Sequence, residues 1–347
     1  MASGRIFGWG IIGTGHIAGS FAEDLRQLPN ARLAAVLSRS EPSASKFALK
    51  HSASTAYTDL AAFLADDAVD IVYVATPNST HVALALSAMR AGKAVLIEKP
   101  AALSAADVEL LGQEADRSGT FVMEAMWIRF LPGISEVKRL IESGEIGQVR
   151  ALRGALSWKN AYDPHGRLFD KSLGGGASLD LGVYLLSLTM HIMGEPDRVS
   201  GSWTAAPSGV DIRASYRLHY GDAHAELECG LDQDLHNIFE ITGSKGVIRI
   251  SNPFIRARRV ELAKGKVSQA LMQAANGVSA AKLMARLPFP GHRIWHFPYV
   301  GHGLSFQADA LMQALESGKS LENTMLLDSS AAVLRAVSTV LALPPVG

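Results

Sequence analysis

Lys99 offers the most chemistry in this sequence, because of where it stands. It closes the apolar run Ala94-Val95-Leu96-Ile97, between Glu98 and Pro100. Near the N-terminus another apolar run, Phe7–Ile12, ends in Gly13-Thr14-Gly15-His16-Ile17-Ala18. A glycine turn between a first strand and a helix holds a dinucleotide pyrophosphate. Gly13 makes the turn, Gly15 lets the backbone approach phosphate, and Ala18 lets helix and strand pack closely. The helix adds free N–H groups and the positive end of its dipole. Thr14, His16 and Ile17 belong to the same cofactor-binding turn. A lysine ending a later strand of that sheet reaches the cofactor's reactive end. The pairing predicts nicotinamide chemistry, with Lys99 near the hydride.

The second strand decides which dinucleotide. An acidic residue at its tip accepts hydrogen bonds from a ribose 2′-hydroxyl. Here the tip reads Ser38-Arg39-Ser40, with Ser43 and Lys46 nearby and Glu41 slightly late. A guanidinium and hydroxyls suit a 2′-phosphate, so NADP is expected ahead of NAD. The turn Thr76-Pro77-Asn78-Ser79-Thr80-His81 falls at the carboxyl edge of the sheet, where ligands bind. Asn78 and His81 are placed to line the nicotinamide ribose; Asn and Thr here equally suit a helix cap. Pro100 fixes the backbone after Lys99, and a cis bond there would be a placed feature.

Further along, Gly174-Gly175-Gly176 precedes Asp180 and Tyr184, which are four apart and share a helix face. Tyr184 is the natural acid/base, with an ordinary pKa of about 10 that a nearby ammonium would lower. Asp180 would orient a substrate hydroxyl or the lysine. Trp127, Arg129, Phe130 and Trp158 suit a substrate pocket with one cation, although aromatics at element ends also serve as core. No His/Cys/Asp spacing matches a metal site, and no serine-elbow triad is present.

The elements that must position these groups fall into two kinds. Up to about residue 125, strand-like runs (Phe7–Ile12, Arg32–Leu37, Val69–Ala75, Ala94–Ile97, Thr120–Met123) alternate with helical patterns (Ile17–Gln27, His81–Arg90, Ala105–Arg117). This predicts an α/β Rossmann domain over 1–126, a doubly wound parallel sheet with helices on both faces. A helix over Gly133–Glu142 and a strand over Val149–Trp158 follow. A helix over Ala177–Met193 leads to consecutive strands at Arg198–Ala205, Ile212–Tyr220, Ala223–Gly230, Asn237–Thr242 and Gly246–Ile250. Runs of strands predict an α+β domain over 127–325, built on an open, mostly antiparallel sheet. The stretch 252–298, with its basic Arg256–Arg259, gives no clear pattern. Helices are expected over Leu304–Glu316 and Asn323–Leu343, the 326–347 segment packing back on the first domain.

Composition is sufficient for substantial cores. The 347 residues carry 33 basic and 33 acidic side chains, and 48% are hydrophobic. With no dense basic run, nucleic acid is not an expected partner. A single cysteine, Cys229, excludes an intramolecular disulfide and fits a reducing cytoplasm. No 18-residue uncharged apolar stretch stands out, so no membrane span is expected.

Together these motifs resemble the Gfo/Idh/MocA oxidoreductase family over nearly the whole chain. The carriers are the glycine turn Gly13–Ala18, the turn Thr76–His81, Glu98-Lys99-Pro100, and Asp180-Leu181-Gly182-Val183-Tyr184. Tyrosine at 184, where many members carry histidine, is similar to the branch of dimeric dihydrodiol dehydrogenases and NADP-dependent xylose dehydrogenases. The segments Phe47–His51, Met123–Phe130 and Gly174–Asp180 also resemble that branch. The resemblance implies proton transfer by Lys99 and Tyr184 with Asp180 in support. It implies Ser38, Arg39 and Ser43 at the 2′-phosphate, and Thr76, Asn78, His81, Glu98 and Arg167 along the cofactor. It further implies a homodimer or dimer of dimers through the open sheet face. Ser187 stands where many members carry an aspartate, which weakens transfer from the inositol-type branch. The expectation is a hydride transfer involving a sugar, cyclic polyol or vicinal diol. A nucleotide-linked or keto sugar is the alternative substrate, and a non-catalytic NADP(H) redox sensor the alternative class.

Overall fold

The apolar runs of the first 125 residues become one parallel sheet. In the computed structural model, which describes residues 5–274, 290–318 and 327–346, its strands are β1 (Phe7–Ile12), β2 (Ala31–Leu37), β3 (Thr55–Tyr57), β4 (Ile71–Val74), β5 (Ala94–Glu98) and β6 (Val122–Ala125). Their order is β3-β2-β1-β4-β5-β6, and every neighbouring pair is parallel. β1, β4 and β5 are buried along their whole length. Helices α1 (His16–Leu25), α2 (Glu41–His51), α3 (Leu60–Leu64), α4 (His81–Arg90) and α5 (Ala105–Ser118) form the crossovers. The strand order reverses between β1 and β4, so the loops after those two strands flank the place where such sheets take ligands. The three-residue β3 and the helices α2 and α3 went unread in the sequence; α2 starts at a serine cap, Ser40, with Pro42 in its first turn.

The later strands form a second sheet: β7 (Val149–Ser157), β8 (Arg198–Ala205), β9 (Asp211–Tyr220), β10 (Ala223–Gly230), β11 (Phe239–Gly243), β12 (Val247–Ile250), β13 (Arg259–Ala263) and β14 (His292–His296). The order is β14-β13-β12-β11-β7-β10-β9-β8. All pairs are antiparallel except β7 with β10. Inward residues alternate with outward ones, as in Ala214, Tyr216 and Leu218 of β9, all buried. Helix α6 (Pro132–Glu142) packs on β13, and α7 (Val183–Met193) packs on β7 and β10. The expected helix from Ala177 does not begin as an α-helix. Its first turn, Ser178–Gly182, is a π turn. A β-carbon at Gly182 would come within 3.1 Å of the Cys229 sulfur, so the sheet limits how closely this turn can wind.

Part of the unreadable stretch turns out to be the strands β13 and β14 and a helix α8 (Lys266–Ala274). Its basic residues are engaged locally: Arg259 pairs with Glu261 at 3.1 Å, and Arg258 lies over the Tyr299 ring at 4.3 Å. The two last helices are α9 (Ser305–Ser317) and α10 (Leu327–Leu341). The expected helix start at Asn323 and the boundary near 325 lie outside the described residues. Among the described residues the helical run Lys171–Met193 is long and apolar enough to cross a membrane, but it contains Lys171 and Asp180, and 72% of its apolar window is buried in the protein.

Backbone contacts divide the chain into two units, Met1–Phe130 with Asp163–Gly175 and Val300–Ser338, and Leu131–Tyr162 with Gly176–Tyr299 and Thr339–Gly347. Within the first unit one carboxylate joins distant parts of the chain. Asp24 of α1 is fully buried and accepts the His302 N–H at 2.9 Å and the Leu304 N–H at 2.7 Å, at the start of α9. Gly301 has φ +74, and a β-carbon there would lie 2.0 Å from an Asp24 oxygen. Replacing Asp24 by alanine leaves buried N–H groups unpaired, which costs about 2–4 kcal/mol. A clear fall in the urea midpoint of D24A is expected; an unchanged midpoint would contradict this role for Asp24.

Candidate functional site

The glycine turn has the geometry a pyrophosphate needs. Gly13 has φ +114, and a β-carbon there would stand 2.4 Å from the Ala75 carbonyl oxygen, so the turn lies tight against the end of β4. Gly15 is different. Its backbone is extended, and a β-carbon there would meet nothing within 4 Å. No side-chain hydrogen bond caps α1, whose first N–H groups have no partner within the helix. These residues fit a dinucleotide phosphate, held by backbone N–H groups at a positive helix end. His16, exposed, and Ile17, half-buried, open the helix.

At the tip of β2, the Ser38 hydroxyl lies 3.4 Å from that of Thr14, and Arg39 is exposed beside it. Ser40 caps α2 by accepting the Ser43 N–H, and its hydroxyl donates to the Ser43 hydroxyl at 3.3 Å. Ser43 is thereby part of the helix start. A cleft of about 480 Å³ runs from the turn between α1 and α2, lined by Thr14, Gly15, His16, Ser43, Lys46 and His302 among others. Lys46 thus supplies a cation to this cleft.

The turn after β4 departs from expectation at His81. Its ring is fully buried, with Nδ1 2.9 Å from the Pro100 carbonyl oxygen and Nε2 2.9 Å from that of Thr76. Both ring nitrogens face backbone, so His81 does not line a ribose; it clasps this turn to the residue after Lys99. Burial lowers its pKa against the pull of the two carbonyls. Thr80 is the N-cap residue of α4, as the capping alternative has it, but its side chain makes no capping hydrogen bond. Thr80 donates to the Pro77 carbonyl at 2.8 Å and lies 2.7 Å from the Thr76 hydroxyl. The Asn78 amide donates to the Gly174 carbonyl at 3.0 Å, fixing the segment that carries the exposed Arg167.

Lys99 is half-buried at the carboxyl end of β5, and the Lys99–Pro100 bond is cis. Glu98 is buried; it accepts from the Tyr73 hydroxyl and, at 3.2 Å, from the Lys99 N–H. Burial pushes its carboxyl pKa up, against Tyr73 and the Lys99 charge. Glu98 therefore faces inward, supporting Lys99 from behind.

Among the pocket candidates, Trp127 and Arg129 are buried in the turn after β6 and Phe130 is half-buried. Arg129 donates to the Ser329 hydroxyl at 2.8 Å. Burial lowers its pKa to about 10, opposed by Glu124. Glu124 accepts from the Ala101 N–H at 2.9 Å and the Ser330 hydroxyl at 2.7 Å. Arg129 is thus a strut between β6 and α10 rather than an exposed cation. Trp158, just beyond β7 in the second unit, is 36% exposed.

Asp180 is half-buried in the π turn, and Tyr184 is buried in the first turn of α7. What holds their segment escaped the sequence reading. Asp211, at the start of β9, is buried and accepts the Ser178 N–H at 2.7 Å. The Tyr216 hydroxyl donates to the Ser178 hydroxyl, which bonds in turn to Asp211. Gly176 has φ +123, and a β-carbon there would stand 2.2 Å from an Asp211 oxygen. The triple glycine was the one available signal, and it could not name its partner.

Comparison with known proteins bears on the family and the fold. A family model described as an oxidoreductase family with NAD-binding Rossmann fold matches residues 7–126, and a GFO/IDH/MocA C-terminal domain model matches 134–249. Trans-1,2-dihydrobenzene-1,2-diol dehydrogenase of Homo sapiens is 32% identical over 250 residues, 71% of this chain and 74% of that protein. The Bos taurus enzyme is 34% identical over the same shares. Among solved structures, an aldose-aldose oxidoreductase from Caulobacter crescentus complexed with glycerol matches with TM-score 0.82 and 23% identity over 96% of each chain. A 3-ketoreductase from Actinomadura kijaniata, in complex with NADP and TDP-benzene, matches with TM-score 0.79 and 22% identity over 97% of each. These two share the fold.

Burial pushes the Asp211 carboxyl up to about 6, against the bonds from Ser178. A raised carboxyl pKa means that the native state holds the proton more tightly than the unfolded chain. The stability it gives is whole below the ordinary value of 3.8 and is lost as pH rises through about 6. The change is about 3 kcal/mol. Unfolding free energies measured from pH 4 to 7.5 should fall over this window in the wild type and stay flatter in Asp211→Asn. Parallel curves for the two proteins would refute the assignment.

Proposed function

We propose that this chain, which belongs to the Gfo/Idh/MocA oxidoreductase family, moves a hydride between NADP and a carbinol or carbonyl carbon of a sugar, cyclic polyol or vicinal diol. Membership makes it an oxidoreductase with an NAD(P)-binding Rossmann domain. One observation carries the reading. The uncapped, open N-terminus of α1 and the lysine at the carboxyl end of β5 belong to one sheet with its strand reversal between them. The named activity of the dehydrogenase relatives supports the CH–OH substrate class.

The nicotinamide, when bound, supplies or takes the hydride. The chain handles the proton and the orientation. In the oxidising direction the Tyr184 phenolate oxygen takes the hydroxyl proton, and in the reducing direction it returns it. The Lys99 ammonium favours the ionised phenol by its charge. Asp180 orients the substrate hydroxyl. At the adenosine end, Ser38, Arg39 and Lys46 offer hydroxyl and cationic groups to a 2′-phosphate, and the β2 tip carries no carboxylate to favour a bare ribose. This supports NADP over NAD. Thr76, Asn78 and Arg167 complete the cofactor contacts. The reading extends to a homodimer or dimer of dimers through the outer face of the second sheet, and to the cytoplasm, with Cys229 buried and unpaired by any disulfide.

Two measurements test it. Lys99→Met and Tyr184→Phe should each lower kcat by about 10²-fold or more while NADPH still binds, because a positioned acid/base is worth about 10²–10⁴ in rate. Near wild-type turnover in either variant would sink the assignment. Arg39→Ala should weaken NADPH about tenfold or more and leave NADH binding unchanged, the loss of one charge-assisted contact. Equal effects on both cofactors would show that Arg39 does not read the 2′-phosphate.

A further inference from the structure

The segment bearing Asp180 and Tyr184 starts in an unusual way. A π turn inserts an extra residue into a helix, and such turns cluster at functional sites. This one, Ser178–Gly182, has no side-chain cap on its own element. Its start is held instead from the sheet, by the buried Asp211 on the Ser178 N–H at 2.7 Å. The space for that carboxylate exists only because residue 176 is a glycine with φ +123. The Tyr216 and Ser178 hydroxyls continue the bond network.

We propose that Asp211 is a positioning residue for the reaction: by gripping the Ser178 N–H from the sheet it fixes the π turn, and so sets the direction in which Asp180 and Tyr184 leave their helix. The proposal rests on the reading given above for Lys99, Asp180 and Tyr184. Without the grip, the first turn can rewind toward the ordinary α-helical form, which rotates Asp180 relative to Tyr184. The ionisable groups facing Asp211 are Tyr216 on its own strand and Cys229 on β10. Burial raises both well above their ordinary values, so neither is charged near neutral pH. From the π turn the Ser178 N–H and hydroxyl reach it. The charge on Asp211 is then the variable that sets the strength of the grip. A carboxylate holds an N–H about twice as strongly as a neutral acceptor does.

The test compares kcat, KM and the NADPH dissociation constant of wild type, Asp211→Asn and Asp211→Ala from pH 5 to 9. Asp211→Ala should lower kcat by about 30-fold or more with NADPH binding unchanged, a misplacement effect. Asp211→Asn keeps an acceptor for the N–H and should lose only about three- to tenfold. The wild-type kcat should fall at the acid side near pH 6, where Asp211 takes a proton, and D211N should lack that limb. If D211A does not fold, the D211N profile decides, since retention of the limb overturns the proposal. A kcat for D211A within about threefold of wild type also overturns it, being too small for misplacement. Wild type without turnover on sugars, polyols and diols would overturn the functional reading and this proposal together; turnover that survives D211A overturns this one alone.

Discussion

The first unit is organised around a histidine that cannot reach solvent. Two carbonyl oxygens, from Thr76 and Pro100, converge on the His81 ring at 2.9 Å each. Buried acceptors need donors, and a neutral imidazole can donate to only one of them. Burial nonetheless holds the ring's pKa below the ordinary value. The tautomer therefore decides which carbonyl is satisfied. With the proton on Nδ1 the ring donates to the Pro100 carbonyl and joins the turn after β4 to the residue that follows Lys99. The lysine and the Thr76–Asn78 turn accordingly hold fixed positions within one unit, and the remaining contacts, Asn78 to Gly174 and Tyr73 to Glu98, build on that frame.

Two buried aspartates repeat one device. Asp24 receives the N–H groups leading into α9, and Asp211 receives the N–H that begins the π turn. An anion at a helix start satisfies orphan donors and matches the positive end of the helix. In each case a positive-φ glycine, Gly301 or Gly176, leaves room that any side chain would fill. The carboxylate and the glycine thus act as a pair, though they lie far apart in sequence.

The sequence disclosed whatever is local. β1, α4, β8 and β10 appear with their expected ends, because apolar period and turn chemistry coincide there. The glycine turn was readable because Gly13 and Gly15 do their work within a few residues of one another. α2 was missed because it buries only Ala44, Phe47 and His51 and shows little periodicity. β14 was missed because its His292–His296 residues are half-buried or exposed, without clean alternation. The site's supports were the hardest to see. His81 looked like a ligand because its spacing suits one; its burial between two carbonyls comes from tertiary packing. Asp211 acts across 33 positions and Asp24 across 280, and no pattern in the intervening chain marks either bond.

That last separation bears on how the protein is made. During synthesis the Rossmann strands emerge first, with Asp24 already among them. The backbone donors that Asp24 needs belong to His302 and Leu304 and leave the ribosome long after β6. Until then the nascent first half carries an acidic side chain in a place the finished protein keeps dry. The first unit therefore lacks this internal bond until the segment carrying Leu304 has been made.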